Sequence, residues 1–309
     1  MERSAIFTND VETHSVWLNE LRDETGFKVL KEAMPKLLEI YSKYNVKSTF
    51  FYTGYIAKKF PDVVKLAFDN GHEIGCHGLS HKLEHGFDVM PFKKQKKHLV
   101  EAKKILEDIT GNEVISFRAP ALRVNGDTTR ALIETGFLID SSISSQRFDF
   151  FFSFGSREKF KFLTSPRLPY KTSVKELNKI GDGPLVEVPV SAIILPYIGP
   201  SLRAFSFPTK ILRNLLIWEN KLNGKPIVFY SHPPEFLDER DEFLERKEIS
   251  RRVNSYFEFL IRDWLKTKIK HKNLGTNAFH LLERELASLE YHDFSFLTLK
   301  EYCKKKKLI

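Results

Sequence analysis

Two histidines in the segment GHEIGCHGLSH, His77 and His81, lie four residues apart. On a helical turn that spacing puts both imidazoles on one face, where they can reach a single metal ion. Read alone, the pair fits structural histidines equally well. Near the start, FTNDVETHS places Asp10 and Glu12 at alternate positions of an extended chain, hence on one side. Two carboxyls facing one way are costly unless a cation or a division of catalytic labour separates them. His14 continues the alternation but reads more simply as part of a solvated loop. Further polar residues, Arg118, Asp140 and His232, each follow or end an apolar run. His72 reads as structural, and alternation points Cys76 away from its neighbour His77.

The elements that must position these groups alternate between strand and helix patterns. SAIFTNDV, VKSTFFYTG, HEIGCHG, VISFRAP, FLIDSSIS, LVEVPVS and PIVFYSH read as strands, with a last one at FSFLTLKEY. Helix periodicity covers Lys28–Asn45, Tyr55–Asn70, Phe92–Thr110, Asp127–Thr135, Ile249–Ile269 and Thr276–Glu290. Such alternation implies an α/β fold with a parallel sheet and crossover helices. About seven parallel strands in one domain favour a partly open or distorted (β/α) barrel, whose chemistry sits where strands end. The suspect residues all fall at those ends. We expect a single domain over 1–309, with an inserted Phe-rich segment at 147–171 and a C-terminal helical extension from about residue 249.

Composition narrows the partners. The net charge of +9 comes from 49 basic and 40 acidic residues. Its runs, at Lys93–Lys97 and Lys304–Lys307, read as a solvated helix face and a tail. No motif with interleaved stacking aromatics accompanies them, so nucleic acid is not an expected partner. Two cysteines, Cys76 and Cys303, form no disulfide framework and fit a reducing compartment. Met1 opens directly into a strand-like stretch without a signal-peptide pattern, and no apolar run approaches the roughly 20 residues of a membrane span. The expected location is cytoplasmic. The segment AIILPYIGPSLRAFSFPTKILRNLLIW could rest on a membrane, but burial as strand and helix is the favoured reading.

Taken in order, Asp10-Val-Glu12, His77-Gly-Leu-Ser-His81, Arg118-Ala-Pro120, Asp140-Ser-Ser and Phe229-Tyr-Ser-His232 resemble the polysaccharide deacetylases. That family is the NodB homology domain, or carbohydrate esterase family four. Each fragment alone is unspecific; their joint order and spacing carry the resemblance. It implies one divalent metal, usually zinc, with His77, His81 and Glu12 as ligands. It also implies Asp10 as the base for the attacking water, His232 as the acid for the leaving amine and Asp140 as the partner orienting His232. Arg118 would line the groove and keep the base charged. Pro120, Ala121 and Phe229 would shape the substrate pocket, with a backbone N–H near Ala121 facing the oxyanion.

The chain departs from the pattern in places. Val11 separates the two acids, so either Asp10 or Glu12 could be the one that touches the metal; Ala121-Leu122 stands where an aromatic-Gly pair is common, and Phe229 stands where leucine usually precedes the histidine. The chemistry is coherent nonetheless. A divalent ion brings the pKa of bound water to about 7, and a carboxylate and an imidazole divide the two proton transfers of amide hydrolysis. The leading expectation is removal of an N-acyl group, acetyl by default and formyl as the variant, from an amino sugar of a glycan or glycolipid precursor. The alternatives are a hydrolase of other C–N bonds, such as cyclic ureides or imides, and a carbohydrate-binding scaffold without activity.

Overall fold

Strand β1, Arg3–Val11, is buried from Ser4 onwards, as a strand covered on both faces must be. The computed structural model describes residues 2–147, 162–247 and 266–309. Within them β1 is the centre of a nine-stranded sheet. Its other strands are β2 (Thr49–Tyr52), β3 (Glu73–Cys76), β4 (Ser116–Phe117), β5 (Ile139–Asp140), β6 (Tyr170–Lys171), β7 (Val186–Glu187), β8 (Ile227–Ser231) and β9 (Phe294–Phe296). The order is β8-β1-β2-β3-β4-β5-β7-β6, and β9 pairs with the first residues of β1. All neighbours are parallel except β6 against β7. The strand that the sequence reading lacks is β6, two residues long and antiparallel to β7.

The sheet curls until its far side returns to β8. Ser191 N donates to Val228 O at 3.0 Å, Val228 N donates to Ser191 Oγ at 3.0 Å, and Ile198 bridges Tyr230. Closure by these few bonds leaves a partly open barrel. The two-residue period of a strand then sorts side chains. Ile6, Phe51, Ile115, Ile139, Val186 and Val228 fill the interior. Ala5, Phe7, Phe50, Tyr52 and Phe229 face outwards into the layer under the helices.

The helices fit their spacings. In α1 (Met34–Lys43), Met34, Leu37, Leu38 and Tyr41 recur on one buried face. α2 (Phe92–Thr110) ends where expected, with Gly111 in the left-handed region at φ +68°. The helix expected over 55–70 is two, Gly54–Lys59 and Pro61–Asp69, because Pro61 supplies no N–H and disfavours helical backbone at Phe60. FSFLTLKEY is a strand only to Phe296; Thr298 and Glu301 form a capping box that starts α3 (Leu299–Lys305). Leu299 N bonds Thr49 Oγ1 and Lys300 N bonds Glu73 Oε2, so α3 closes the end opposite the suspect polar residues. The Phe-rich run at 148–161 and the helix proposed from 249 lie, apart from its last residues, outside the described residues.

Candidate active site

Alternation along β1 carries Ile6, Thr8 and Asp10 up the barrel interior, and Glu12 follows at its mouth. Asp10 is buried, with Oδ1 receiving a bond from Arg118 Nη1 at 2.9 Å. Arg118 is fully enclosed rather than groove-lining. Its Nη1 also donates to Thr8 Oγ1 (2.6 Å), Nε to Ser141 O (2.9 Å) and Nη2 to Ser141 Oγ (2.8 Å). Its guanidinium carbon lies 4.5 Å from the Phe51 ring centroid and 5.0 Å from that of Tyr230. Burial alone would raise the Asp10 pKa; Arg118, His77 and His232 together hold it below the ordinary carboxylate value.

Beyond β3 the chain does not form the helical turn that the four-residue spacing suggested. Gly78 takes φ +68°, and a side chain there would lie 3.0 Å from the Phe87 ring. Gly54 N donates to Gly78 O (2.9 Å) and Tyr55 N to Leu79 O (2.8 Å), pinning the loop to the helix beginning at Gly54. The loop returns His81 to His77, their rings 5.9 Å apart. One ligand atom each from Glu12, His77 and His81 lies within 4.8 Å of the others. His77 Nδ1–H donates to Arg118 O at 2.7 Å, which leaves its Nε2 lone pair for another partner.

This trio fits a divalent cation on its own evidence. Glu12 Oε2 is buried without a hydrogen-bond partner, although it approaches His81 Nε2 to 3.2 Å. Burial outweighs the nearby cationic groups and raises the Glu12 pKa. Burial likewise lowers the His77 pKa to about 4, keeping the imidazole neutral and able to donate a lone pair. A donor set of two nitrogens and one carboxylate leaves a coordination position open.

The opposite bank carries His232. Its Nδ1 lies 2.7 Å from Glu235 Oε1, and Arg203 Nε donates to Glu235 Oε2 at 2.6 Å. Burial opposes a charged ring, yet the bond and charge of Glu235, with Asp10 and Glu12, raise the His232 pKa to about 9. Asp140, expected to orient this histidine, does not. Ile139 faces the interior, so alternation turns Asp140 outwards, where it accepts from Ser142 N (3.1 Å) and Oγ (2.7 Å) and pairs with Glu187. Burial, the largest effect on each, raises both carboxyls' pKa values, that of Glu187 well above the ordinary one.

Between the banks lies a cleft of about 450 Å³ whose floor includes Glu12, His81, Tyr230 and His232. Leu195, Pro196, Ile198 and Phe205 make an apolar wall, and Arg147 and Lys270 add positive charge. A second depression of about 200 Å³ shares Glu12 and His81 and extends past Tyr55. Ala121, at φ +53°, lines the cleft as expected. Pro120 is buried and packs behind Gly78 instead. Phe229 packs in the core, its ring tilted 4.9 Å from that of Phe7 and edge-on 5.0 Å from that of Tyr197. It is three residues before His232, an odd step on a strand, so Tyr230 is the residue that faces the cleft. His14, read as loop, lines the cleft with its ring 6.1 Å from that of His81, and burial lowers its pKa to about 3. The alternation 10-12-14 was the signal for it.

Residues 9–139 match the polysaccharide deacetylase family. The resemblance read from the sequence is thereby borne out, and Asp10, Glu12, His77, His81 and Arg118 fall inside the match. His232, Glu235 and Arg203 fall beyond it. A peptidoglycan deacetylase of Helicobacter pylori is 27% identical over 146 residues, covering 45% of this chain and 49% of its own. The chain spans about half, or less, of the length of the curated relatives it matches. Among solved structures, a Mycobacterium smegmatis protein assigned as a polysaccharide deacetylase has a TM-score of 0.56 at 22% identity, covering 96% of this chain and 93% of that one. The allantoinase PuuE has a TM-score of 0.57 at 15% identity, covering 97% of this chain and 89% of its own. These two likenesses share the fold and carry no further information about the reaction.

Proposed function

We propose that the chain hydrolyses an N-acyl group, acetyl or formyl, from an amino sugar of a glycan or glycolipid precursor. The observation that carries this reading is the convergence of Glu12, His77 and His81 between a charged Asp10 and a protonated His232. A divalent ion, zinc in this proposal, supplies Lewis acidity and makes water nucleophilic near neutral pH. Glu12, His77 and His81 hold it. Asp10, kept ionised by Arg118, accepts the proton of the attacking water. His232, held by Glu235, gives a proton to the departing amine nitrogen. Ala121, at the cleft edge, offers backbone near the acyl group. The apolar wall excludes water from one side of the reacting bond.

The buried, unpaired thiols of Cys76 and Cys303 support a reducing, cytoplasmic setting. The test is amine release by the purified chain, stripped with a chelator and reloaded with zinc. N-acetylated and N-formylated amino sugars are compared with small cyclic ureides. Release from the sugars, lost on stripping and regained on reloading, is the expected result. Turnover of the cyclic ureide alone would move the reaction to another C–N bond. Absence of turnover with any divalent ion would leave a binding scaffold.

A further inference from the structure

The segment expected to bury does so on one face only. After the short helix α4 (Gly199–Ala204), α5 (Ser206–Asn223) buries Leu212, Arg213, Leu216 and Ile217 against the barrel. Its outer face carries Phe207, Ile211, Leu215, Trp218 and Leu222, whose exposure runs from 44% for Leu215 to 71% for Phe207. At 100° per residue these five fall in one stripe along the helix. Scattered apolar residues on a surface need no explanation, but an aligned row of five, including phenylalanine and tryptophan, marks a contact surface. Lys210 and Lys221, both exposed, flank the stripe on the same side.

Beside that flank lies a depression of about 390 Å³ between α5 and α6 (Thr276–Tyr291). Lys210, Arg213 and Arg284 line it, with the hydroxyl-bearing Ser206 and Ser288. Arg213 is 7% exposed; Nη1 pairs with Glu285 at 2.9 Å, while its Nε is buried with no partner. Three cations against one carboxylate, with a donor left over, suit an anionic oxygen ligand.

We propose that α5 and this depression form a docking surface for an anionic lipid bilayer. The apolar stripe enters the interfacial zone, with Trp218 at the headgroup level, and Lys210, Arg213 and Arg284 take lipid phosphates. A second copy of the chain is a poorer occupant. Each copy carries a net charge of +9, and two such faces brought together would oppose their flanking lysines. Among the described residues no helix is long and apolar enough to cross a membrane. Phe207 lies two residues beyond Phe205 of the cleft wall. Docking would therefore bring the cleft to sugars carried on lipids, a consequence that, unlike the docking itself, rests on the proposed deacylation.

The experiment is co-sedimentation of the full chain with phosphatidylcholine vesicles and with vesicles in which phosphatidylglycerol replaces a third of the lipid. Tryptophan emission is recorded alongside. Binding to the anionic vesicles alone, weakened by salt, with a blue shift absent in Trp218→Phe, is the expected result. The pair Phe207→Ser and Leu222→Ser should weaken it about tenfold or more. Lys210→Glu with Arg284→Glu should do the same. All four positions are solvent-facing, and unchanged circular dichroism checks the fold. No sedimentation with either vesicle, or binding that both variant pairs leave intact, would overturn the proposal. So would self-association that shifts Trp218 without lipid, or the same shift with inorganic phosphate alone.

Discussion

The two banks of the cleft hold their charged groups by different means. On the first, Asp10 and Arg118 project inwards from strands of one curled sheet that have two others between them, and the guanidinium is tied by four bonds to Thr8, Asp10 and Ser141. Strand register fixes that geometry across 108 residues of sequence. On the second, His232 is held by Glu235, three residues on in a tight turn, which is braced by Arg203. A local turn needs no distant partner to form, so its sequence leaves fewer traces. The first bank falls within the family match and the second outside it. His232, directly after a strand, is legible from motif order; its partners Glu235 and Arg203, in the turn and on a helix, are not.

The comparison breaks first at the metal. Changing His77→Ala with His81→Ala should abolish stoichiometric binding of the proposed divalent metal by elemental analysis and lower kcat/KM about a thousandfold. Retained metal in that variant would show that the first bank does not hold it. Next is the scaffold of the same bank. Arg118→Met strands Asp10 as a buried, unpaired charge and should cost about 3–5 kcal/mol in denaturant unfolding. Arg203→Met, whose partners include the backbone oxygens of Lys270 and Lys272 near the surface, should cost less. Equal losses would erase the contrast between a sheet-locked and a turn-locked arginine.

Much of the first bank was readable because strand period 2 and motif order agree there. Asp10 and Glu12 on that bank, and His232 on the other, sit at positions that alternation sends into the barrel. Where motif order was followed against parity, the reading failed. Phe229 is an odd step from His232 and packs on Phe7; Asp140 is an odd step from Ile139 and faces Glu187. The helical turn at His77–His81 failed because Gly78 can adopt a left-handed conformation that spacing alone does not reveal. The exposed stripe of α5 was hidden because that helix is apolar on both faces, and periodicity assigns such a segment to the core.

The mildest test bears on the second bank. Glu235→Gln keeps the size of the side chain and removes the charge beside His232. In chelator-treated protein the His232 imidazole, followed by NMR, should titrate near the value of about 9 in the parent and well below it in the variant. The folded value lies above the unfolded one of about 6.5. The stability this histidine contributes is therefore full below about 6.5 and is lost as the pH rises through about 9. Glu235→Gln should flatten that part of the stability profile and lower kcat about tenfold at neutral pH, with bound zinc unchanged. If the imidazole titration does not move, Glu235 does not set the charge of His232, and the turn is only a brace.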